Sequence, residues 1–192
     1  QILAQRSKST GGNNLNRITP HLVATGPNQV WSWDVSQIQS STKTERYYLY
    51  VIIDIWSRFV VGWALELHEK TDHAIELWKK SLEGQDITGK GLINHKDNGG
   101  IMTANSMIKF VRDAEMIDSY SRAGVSDDNP FSESLFRHSG IQFICPATRH
   151  YGEEVKILGL RNQTINSFHK NYPHRYSKKP KVYQPIIEVK IN

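Results

Sequence analysis

Three acidic residues in distant parts of the chain have the residue type and spacing of a divalent-metal site. Asp34 lies in the run Trp-Ser-Trp-Asp-Val-Ser, and 35 residues separate Asp97 from Glu133. Carboxylates that converge in a fold can hold Mg²⁺, which prefers oxygen ligands and often sits beside a substrate phosphate. A pair of such ions drives in-line displacement at phosphorus. Spacing alone is weak support, because 19 of the 192 residues are acidic.

Asp34 is predicted to lie on the first strand of an antiparallel meander. Residues 30–36 alternate aromatic or aliphatic with polar side chains, which is typical of a half-buried strand, and Asp34 falls on the face opposite the tryptophans. Two further strands are predicted over 47–55 and 59–65 from their β-branched and aromatic residues. Asp54, at the end of the second strand, is interpreted as structural, accepting hydrogen bonds around Ser57 and Arg58.

Asp97 and Glu133 are predicted at the ends of later elements. Asp97 opens an Asp-Asn-Gly turn directly after a short strand, and Glu133 lies in the first turns of a helix that Asn129 caps. The elements after the meander are predicted as a helix over 71–82 capped by Thr71, a strand over 91–95 and a helix capped by Thr103. A strand over 117–121 and a helix that begins at Pro130 follow. This order predicts an α/β fold with a mixed five-stranded sheet flanked by helices.

Composition narrows the class of protein. The net charge of +5 and the isoelectric point of about 9.3 favour polyanionic partners such as nucleic acid. Cys145 is the single cysteine, which excludes a disulfide within the chain and a zinc site built on two or more thiolates; we interpret it as a buried small residue. No apolar run is long enough for a transmembrane helix. The chain lacks a signal peptide and an initiator Met, which indicates a fragment or a processed product.

Four stretches of the sequence carry a more specific signal than the spacing of the acids. They resemble the DDE transposase and retroviral-type integrase catalytic core, most closely the second open reading frame product of IS3-type insertion sequences. The matching stretches are 27–34, which ends in Trp-Ser-Trp-Asp; 48–63, which contains Ile-Asp-Ile-Trp-Ser-Arg; 95–99, His-Lys-Asp-Asn-Gly; and 121–134, which contains Asp-Asp-Asn-Pro-Phe-Ser-Glu.

The resemblance implies a ribonuclease H-like fold and a metal-dependent DNA strand-transfer enzyme. Asp34, Asp97 and Glu133 would form the catalytic triad and hold two Mg²⁺ or Mn²⁺ ions. The site would nick the ends of the element and then join the freed 3′-hydroxyl to target DNA. Members act as multimers on paired ends, so a homo-oligomer on DNA in the bacterial cytoplasm, at the nucleoid, is expected, with no membrane or zinc partner.

The resemblance also implies three regions and one departure. Residues 1–27 read as a flexible basic arm, 28–137 as the catalytic core and 138–192 as a basic tail. Relatives continue the helix of the third acid and add a second long helix, whereas here Arg137 runs directly into His138. The chain is therefore either an internally deleted copy or an intact enzyme with a segment missing from the printed sequence. The N-terminal helix-turn-helix of full-length relatives is also absent, so recognition of the element's ends is expected to lie elsewhere.

The junction motivates one alternative to a transposase core, a catalytically inactive remnant that only binds DNA or partner subunits. Another alternative is a nuclease of the same fold without strand transfer, which the integrase-like motifs disfavour. Basic residues are candidate DNA contacts in either case, although a solvated charged surface is an alternative interpretation. The candidates are Lys96, Arg122, Arg137, Lys178 and Lys179, the last two in a tail where aromatic and basic residues alternate, a composition suited to phosphate contact and base stacking.

Overall fold

The computed structural model describes residues 22–39, 46–121 and 144–191. Seven strands in these ranges are distributed over two sheets. The strands are β1 (Leu22–Ala24), β2 (Val30–Gln39), β3 (Arg46–Asp54), β4 (Val60–Glu66), β5 (Ile93–Lys96), β6 (Ile117–Tyr120) and β7 (Val189–Ile191). The main sheet has the order β4-β3-β2-β5-β6. β2, β3 and β4 pair antiparallel, while β5 pairs parallel to both β2 and β6.

The helices flank this sheet. They are α1 (Thr71–Gly84), α2 (Asn105–Asp113), α3 (Pro146–His150) and α4 (Glu154–Asn171), followed by a 3₁₀ turn at Pro173–Arg175. The predicted mixed five-stranded sheet is confirmed, and its element order from β2 to β6 is that of the prediction. Every helix within these described stretches is too short or too polar to cross a bilayer.

Helix starts differ from the prediction in detail. Thr71 is the first residue of α1, and Lys70 holds the cap position without a side-chain hydrogen bond. Thr103 is not the cap of α2 either, because Ala104 holds that position. The Thr103 hydroxyl instead donates to Gly99 O at 3.1 Å, which closes the turn that follows Asp97. Thr103 therefore stabilises the turn before α2 and does not cap the helix.

Tryptophan packing fixes one face of β2. The ring of Trp78 on α1 lies 5.5 Å from that of Trp31 and 6.3 Å from that of Trp33, measured between centroids, and all three side chains are fully buried. Because side chains alternate across a strand, the intervening residues of β2 face the other side of the sheet. The apolar pattern that predicted β2 therefore also sets the direction of Asp34.

A second apolar cluster covers the other face near the start of β2. It contains Ala24, Val30, Ile55, Ile93 and Ile191. β1 and β7 pair antiparallel, with Leu22 opposite Ile191, and so bring the two ends of the described chain together. Neither strand was predicted, since residues 22–24 fell within the predicted arm and 189–191 within the tail. Strands of three residues are too short to show a periodic pattern.

The tail begins with two helices that the sequence analysis did not predict. His150 on α3 attaches the first of them to the body, with Nδ1 2.9 Å from Ser57 Oγ and Nε2 2.6 Å from Gln85 Oε1. Cys145 is exposed, so the prediction of a buried cysteine was wrong. Its sulfur caps α3 by accepting a hydrogen bond from Thr148 N at 3.4 Å.

Candidate functional site

Asp34 and Asp97 are brought to the same place by the parallel pairing of β2 with β5. Val30 pairs with Ile93 and Ser32 pairs with His95. Asp34 follows Ser32 by two residues and Asp97 follows His95 by two residues, so both acids lie at the same end of this paired segment. Asp34 falls on the sheet face of Val30, because residues two apart on a strand share a face. Asp97 comes directly after Lys96, the last residue of β5.

Each acid has a local hydrogen bond that directs its carboxylate. Asp34 is half-buried, and its Oδ1 accepts from Val35 N at 2.8 Å. Asp97 is exposed just beyond β5, and its Oδ1 accepts from Gly99 N at 2.7 Å. A Cβ at Gly99 would stand 3.0 Å from that oxygen, so glycine permits the close approach.

The donor chemistry of this pair fits a divalent cation. A half-buried carboxylate on β2 and an exposed carboxylate just beyond β5 supply the hard oxygen ligands that Mg²⁺ selects, with solvent able to complete an octahedron. Within residues 22–39, 46–121 and 144–191, no three His, Cys, Asp or Glu side chains are grouped closely enough to hold a metal. Glu133, the predicted third ligand, lies outside the described residues, as do Arg122, Arg137 and His138.

Asp54 has the structural role that the sequence analysis predicted. Its side chain is fully buried. Oδ1 accepts from Ser57 N at 2.8 Å and from Ser57 Oγ at 2.7 Å, while Oδ2 accepts from Asn28 N at 2.7 Å. Backbone Arg58 N also donates to Asp54 O at 2.8 Å. Oδ1 thus closes the β3–β4 turn, while Oδ2 ties that turn to Asn28 in the connection between β1 and β2.

Lys96 lies on the opposite side of β5 from Asp97. Its side chain has no exposed surface, and Nζ is 2.7 Å from Asp118 Oδ1 and 5.0 Å from the centroid of the Tyr120 ring. Burial lowers the pKa of Lys96, and the hydrogen bond to Asp118 opposes this shift. This conformation offers the ammonium to no phosphate, so the predicted DNA contact of Lys96 finds no support here.

Asp118 and Asn94 are polar residues of the site region that the sequence analysis missed. Asn94 Nδ2 donates to Asp118 Oδ1 at 2.9 Å, and both sit on the face that carries Lys96. On the face of the two acids, His95 is fully buried with Nδ1 3.1 Å from Ser119 Oγ. Local patterns do not reveal these contacts, because each joins two strands that are remote in sequence.

Aromatic and basic side chains cluster where α4 ends. The rings of Phe168 and Tyr172 are 4.8 Å apart between centroids, and the guanidinium of Arg175 lies 5.9 Å and 5.4 Å from their respective centroids. Lys178 and Lys179 follow and are exposed. Partly exposed rings beside cations form a surface suited to phosphate contact and base stacking.

A cavity of about 350 Å³ lies beside the β3–β4 turn. Burial and the neighbouring Arg149 lower the pKa of Arg58, which lines it, to about 10, so its guanidinium remains charged near neutral pH. Arg149 Nη2 pairs with Glu154 Oε1 at 3.0 Å. The lining residues are Arg58, Ile144, Arg149, Glu154, Leu158, Tyr183, Gln184 and Ile186.

Comparison with known proteins gives consistent matches. Residues 24–126 match the family model described as Integrase core domain. The chain is 32% identical over 122 residues to the transposase for insertion sequence element IS904 of Lactococcus lactis, an alignment covering 64% of this chain and 47% of that protein. It is 28% identical over 134 residues to transposase InsF for insertion sequence IS3A of Escherichia coli, covering 67% and 44%. The chain thus spans about half the length of these curated relatives.

Among solved structures, the chain is similar to the HTLV-2 integrase catalytic core domain, which was solved in complex with magnesium in a dimeric form. The two chains share 17% sequence identity, with a TM-score of 0.47 and 77% of each chain covered.

Proposed function

Because this chain belongs to the integrase core domain family, we propose that it supplies the catalytic core of metal-dependent DNA transposition of the IS3 type. In this proposal the substrate is the DNA at the ends of the insertion sequence. The reaction is nicking at those ends, followed by transfer of the freed 3′-hydroxyl to target DNA.

One observation carries the proposal. The parallel β2–β5 pairing brings Asp34 on β2 and Asp97, the residue directly after β5, to the same end of two neighbouring strands. Strands hold functional side chains more precisely than loops do. By its position in the Asp-Asn-Pro-Phe-Ser-Glu motif, Glu133 is proposed as the third carboxylate.

The proposed chemistry divides between the acids and two bound divalent cations. When bound, the cations supply charge neutralisation at the phosphate and activation of the attacking water or 3′-hydroxyl. Asp34 and Asp97 would hold them, each with one oxygen restrained by a backbone amide. The hydrogen bonds from Val35 N and Gly99 N limit carboxylate rotation and so preorganise the site for the transition state.

DNA contacts are proposed for the end of the chain. Lys178 and Lys179 would bind backbone phosphates, and the rings of Phe168 and Tyr172 would stack on bases. For Arg122 and Arg137, which lie outside the described residues, DNA contact stays a prediction from sequence. Paired element ends imply self-association of the chain, and we propose that it acts at the bacterial nucleoid.

An endonuclease and strand-transfer assay tests this function. The chain is incubated with Mn²⁺ and a duplex oligonucleotide that carries an end of the parent insertion sequence. We expect nicking at the element end, and loss of nicking of roughly 100-fold or more in Asp34→Asn, Asp97→Asn and Glu133→Gln, because the metals supply several kcal/mol of charge stabilisation. Equal nicking by wild type and these variants would overturn the assignment.

The junction between Arg137 and His138 favours one second candidate, a remnant that binds DNA without catalysis. It predicts a folded chain that binds the same duplex yet shows neither nicking nor Mn²⁺ binding. Circular dichroism, a DNA-binding titration and the nicking assay on the same preparation separate the two functions.

A further inference from the structure

The position of Asp97 depends on the residues on either side of it. Lys96 O accepts hydrogen bonds from Ser121 N at 2.9 Å and from Ser121 Oγ at 3.2 Å. On the other side, Asn98 Nδ2 donates to Ser121 O at 3.0 Å. The end of β6 therefore holds the chain immediately before and after Asp97, while the Asp97 carboxylate is itself exposed.

The Lys96 side chain anchors this arrangement from the opposite face of the sheet. β5 and β6 pair in parallel, with Asn94 beside Asp118 and Lys96 beside Tyr120. The Asp118 carboxylate receives Asn94 Nδ2 at 2.9 Å and lies 2.7 Å from Lys96 Nζ, and Tyr120 Oη donates to it at 3.4 Å. One carboxylate thus connects two alternate residues of β5 to β6.

Stability alone gives little reason for such a pair. Taking an ammonium out of water carries a large desolvation cost, and replacing a buried ion pair by packed apolar residues is often neutral or stabilising. An ion pair restrains the strands more than an apolar contact does, because it fixes the position of β5 relative to β6 along the strand axis. β5 is only four residues long, so it has few backbone bonds to resist such sliding.

We propose that the Lys96–Asp118 pair is a positioning device for Asp97. It holds the end of β5 against β6 so that the Asp97 carboxylate emerges opposite Asp34. The inference rests on the proposed function only in treating Asp97 as a metal ligand. Lys96 is accordingly a positioning residue and contacts neither metal nor DNA.

The test replaces the pair by apolar residues in the full chain. Lys96→Met/Asp118→Leu is compared with wild type and with Lys80→Met/Glu76→Leu, a control that removes an exposed ion pair, also of 2.7 Å, on α1. Three quantities are measured: the urea unfolding midpoint, the Mn²⁺ affinity by electron paramagnetic resonance, and the exchange rate of the Ser121 amide hydrogen by NMR.

For the buried-pair variant we expect an unfolding midpoint moderately below that of wild type, because Asp118→Leu also removes the acceptor of Asn94 Nδ2. Its Mn²⁺ affinity should fall about 10–100-fold, as is common when a residue that orients a metal ligand is lost, and its Ser121 amide should exchange faster. The control should change neither Mn²⁺ affinity nor Ser121 exchange. A folded buried-pair variant with wild-type Mn²⁺ affinity and wild-type Ser121 exchange would overturn the proposal.

A milder variant and an internal check keep the result decisive. If the double variant does not fold, Asp118→Asn takes its place, since it keeps the side-chain shape and an acceptor for Asn94. If wild type shows no Mn²⁺ binding that Asp34→Asn abolishes, the proposed function fails. The Ser121 exchange rate then decides alone whether the pair holds the end of β5.

Discussion

Asp34 and Asp97 each lie four residues beyond a register pair of parallel strands, Val30 on β2 and Ile93 on β5. One parallel strand pairing therefore brings together two acids that are far apart in the sequence. The face of β2 that carries Val30 into an apolar cluster also carries Asp34, and Asp97 follows β5 at the same end of the sheet. Apolar packing at the start of β2 and β5 thus helps to position the two acids at the other end of these strands.

Asp34 and Asp54 should respond in opposite ways to the same substitution. Asp34→Asn should lower Mn²⁺ affinity strongly and leave the free energy of unfolding unchanged or higher, since it relieves repulsion between carboxylates. Asp54→Asn should lower the free energy of unfolding by about 1–3 kcal/mol, because a buried acceptor of two amides and a hydroxyl is disturbed. It should leave Mn²⁺ affinity unchanged. Urea unfolding and Mn²⁺ titration of both variants measure these effects. If Asp54→Asn lowers Mn²⁺ affinity and Asp34→Asn lowers only stability, Asp54 is the metal ligand and Asp34 the structural residue.

Gly62 should be intolerant of a methyl group. A Cβ there would overlap Ser81 Oγ and approach Leu77 Cδ1 to 3.1 Å, and the Ser81 hydroxyl is held in place by its bond to Leu77 O at 2.8 Å. We expect Gly62→Ala to cost about 1–3 kcal/mol, as is typical of an overpacked interior.

The double variant Gly62→Ala/Ser81→Ala is the check on that mechanism. It should regain much of the lost free energy of unfolding, because the overlapping oxygen is gone. Additive losses from the two single variants, measured by urea unfolding, would show that the crowding lies elsewhere.

Tyr120 should make stability depend on alkaline pH. Burial and the nearby Asp118 carboxylate raise the pKa of Tyr120 to about 12, from an ordinary value of 10.0. Because the folded state favours the neutral phenol, this contribution is complete below about pH 10 and is lost as the pH rises through about 12. Wild type should therefore lose stability relative to Tyr120→Phe as the pH rises from about 10 to about 12. If the free energies of unfolding of wild type and Tyr120→Phe vary with pH in the same way, the raised pKa of Tyr120 is contradicted.

Lys178 and Lys179 should contribute a salt-dependent part of DNA affinity. Replacing both by Gln should reduce the slope of log affinity against log salt by about 2, because each phosphate contact contributes about 0.9. The adjacent exposed pair Lys79 and Lys80 on α1, replaced in the same way, is the control. Fluorescence anisotropy of a labelled duplex at several salt concentrations measures both slopes, and equal slopes would remove the tail from the DNA-binding surface.

Sequence by itself determined the order of the main elements and the local setting of the acids. Strand alternation placed Asp34 opposite Trp31 and Trp33, and turn chemistry placed Asp97 at a strand end, because both signals depend on residues a few positions apart. Asp54 was separated from the candidate metal ligands for the same local reason.

Only the tertiary structure decided the relationships between remote strands. The parallel register of β2 with β5 depends on packing across the whole sheet, and the burial of Lys96 against Asp118 depends on which strand lies beside β5. The pairing of β1 with β7 joins segments from opposite ends of the chain. Local patterns contain no information on such contacts, because their energy arises when distant segments meet and exclude water.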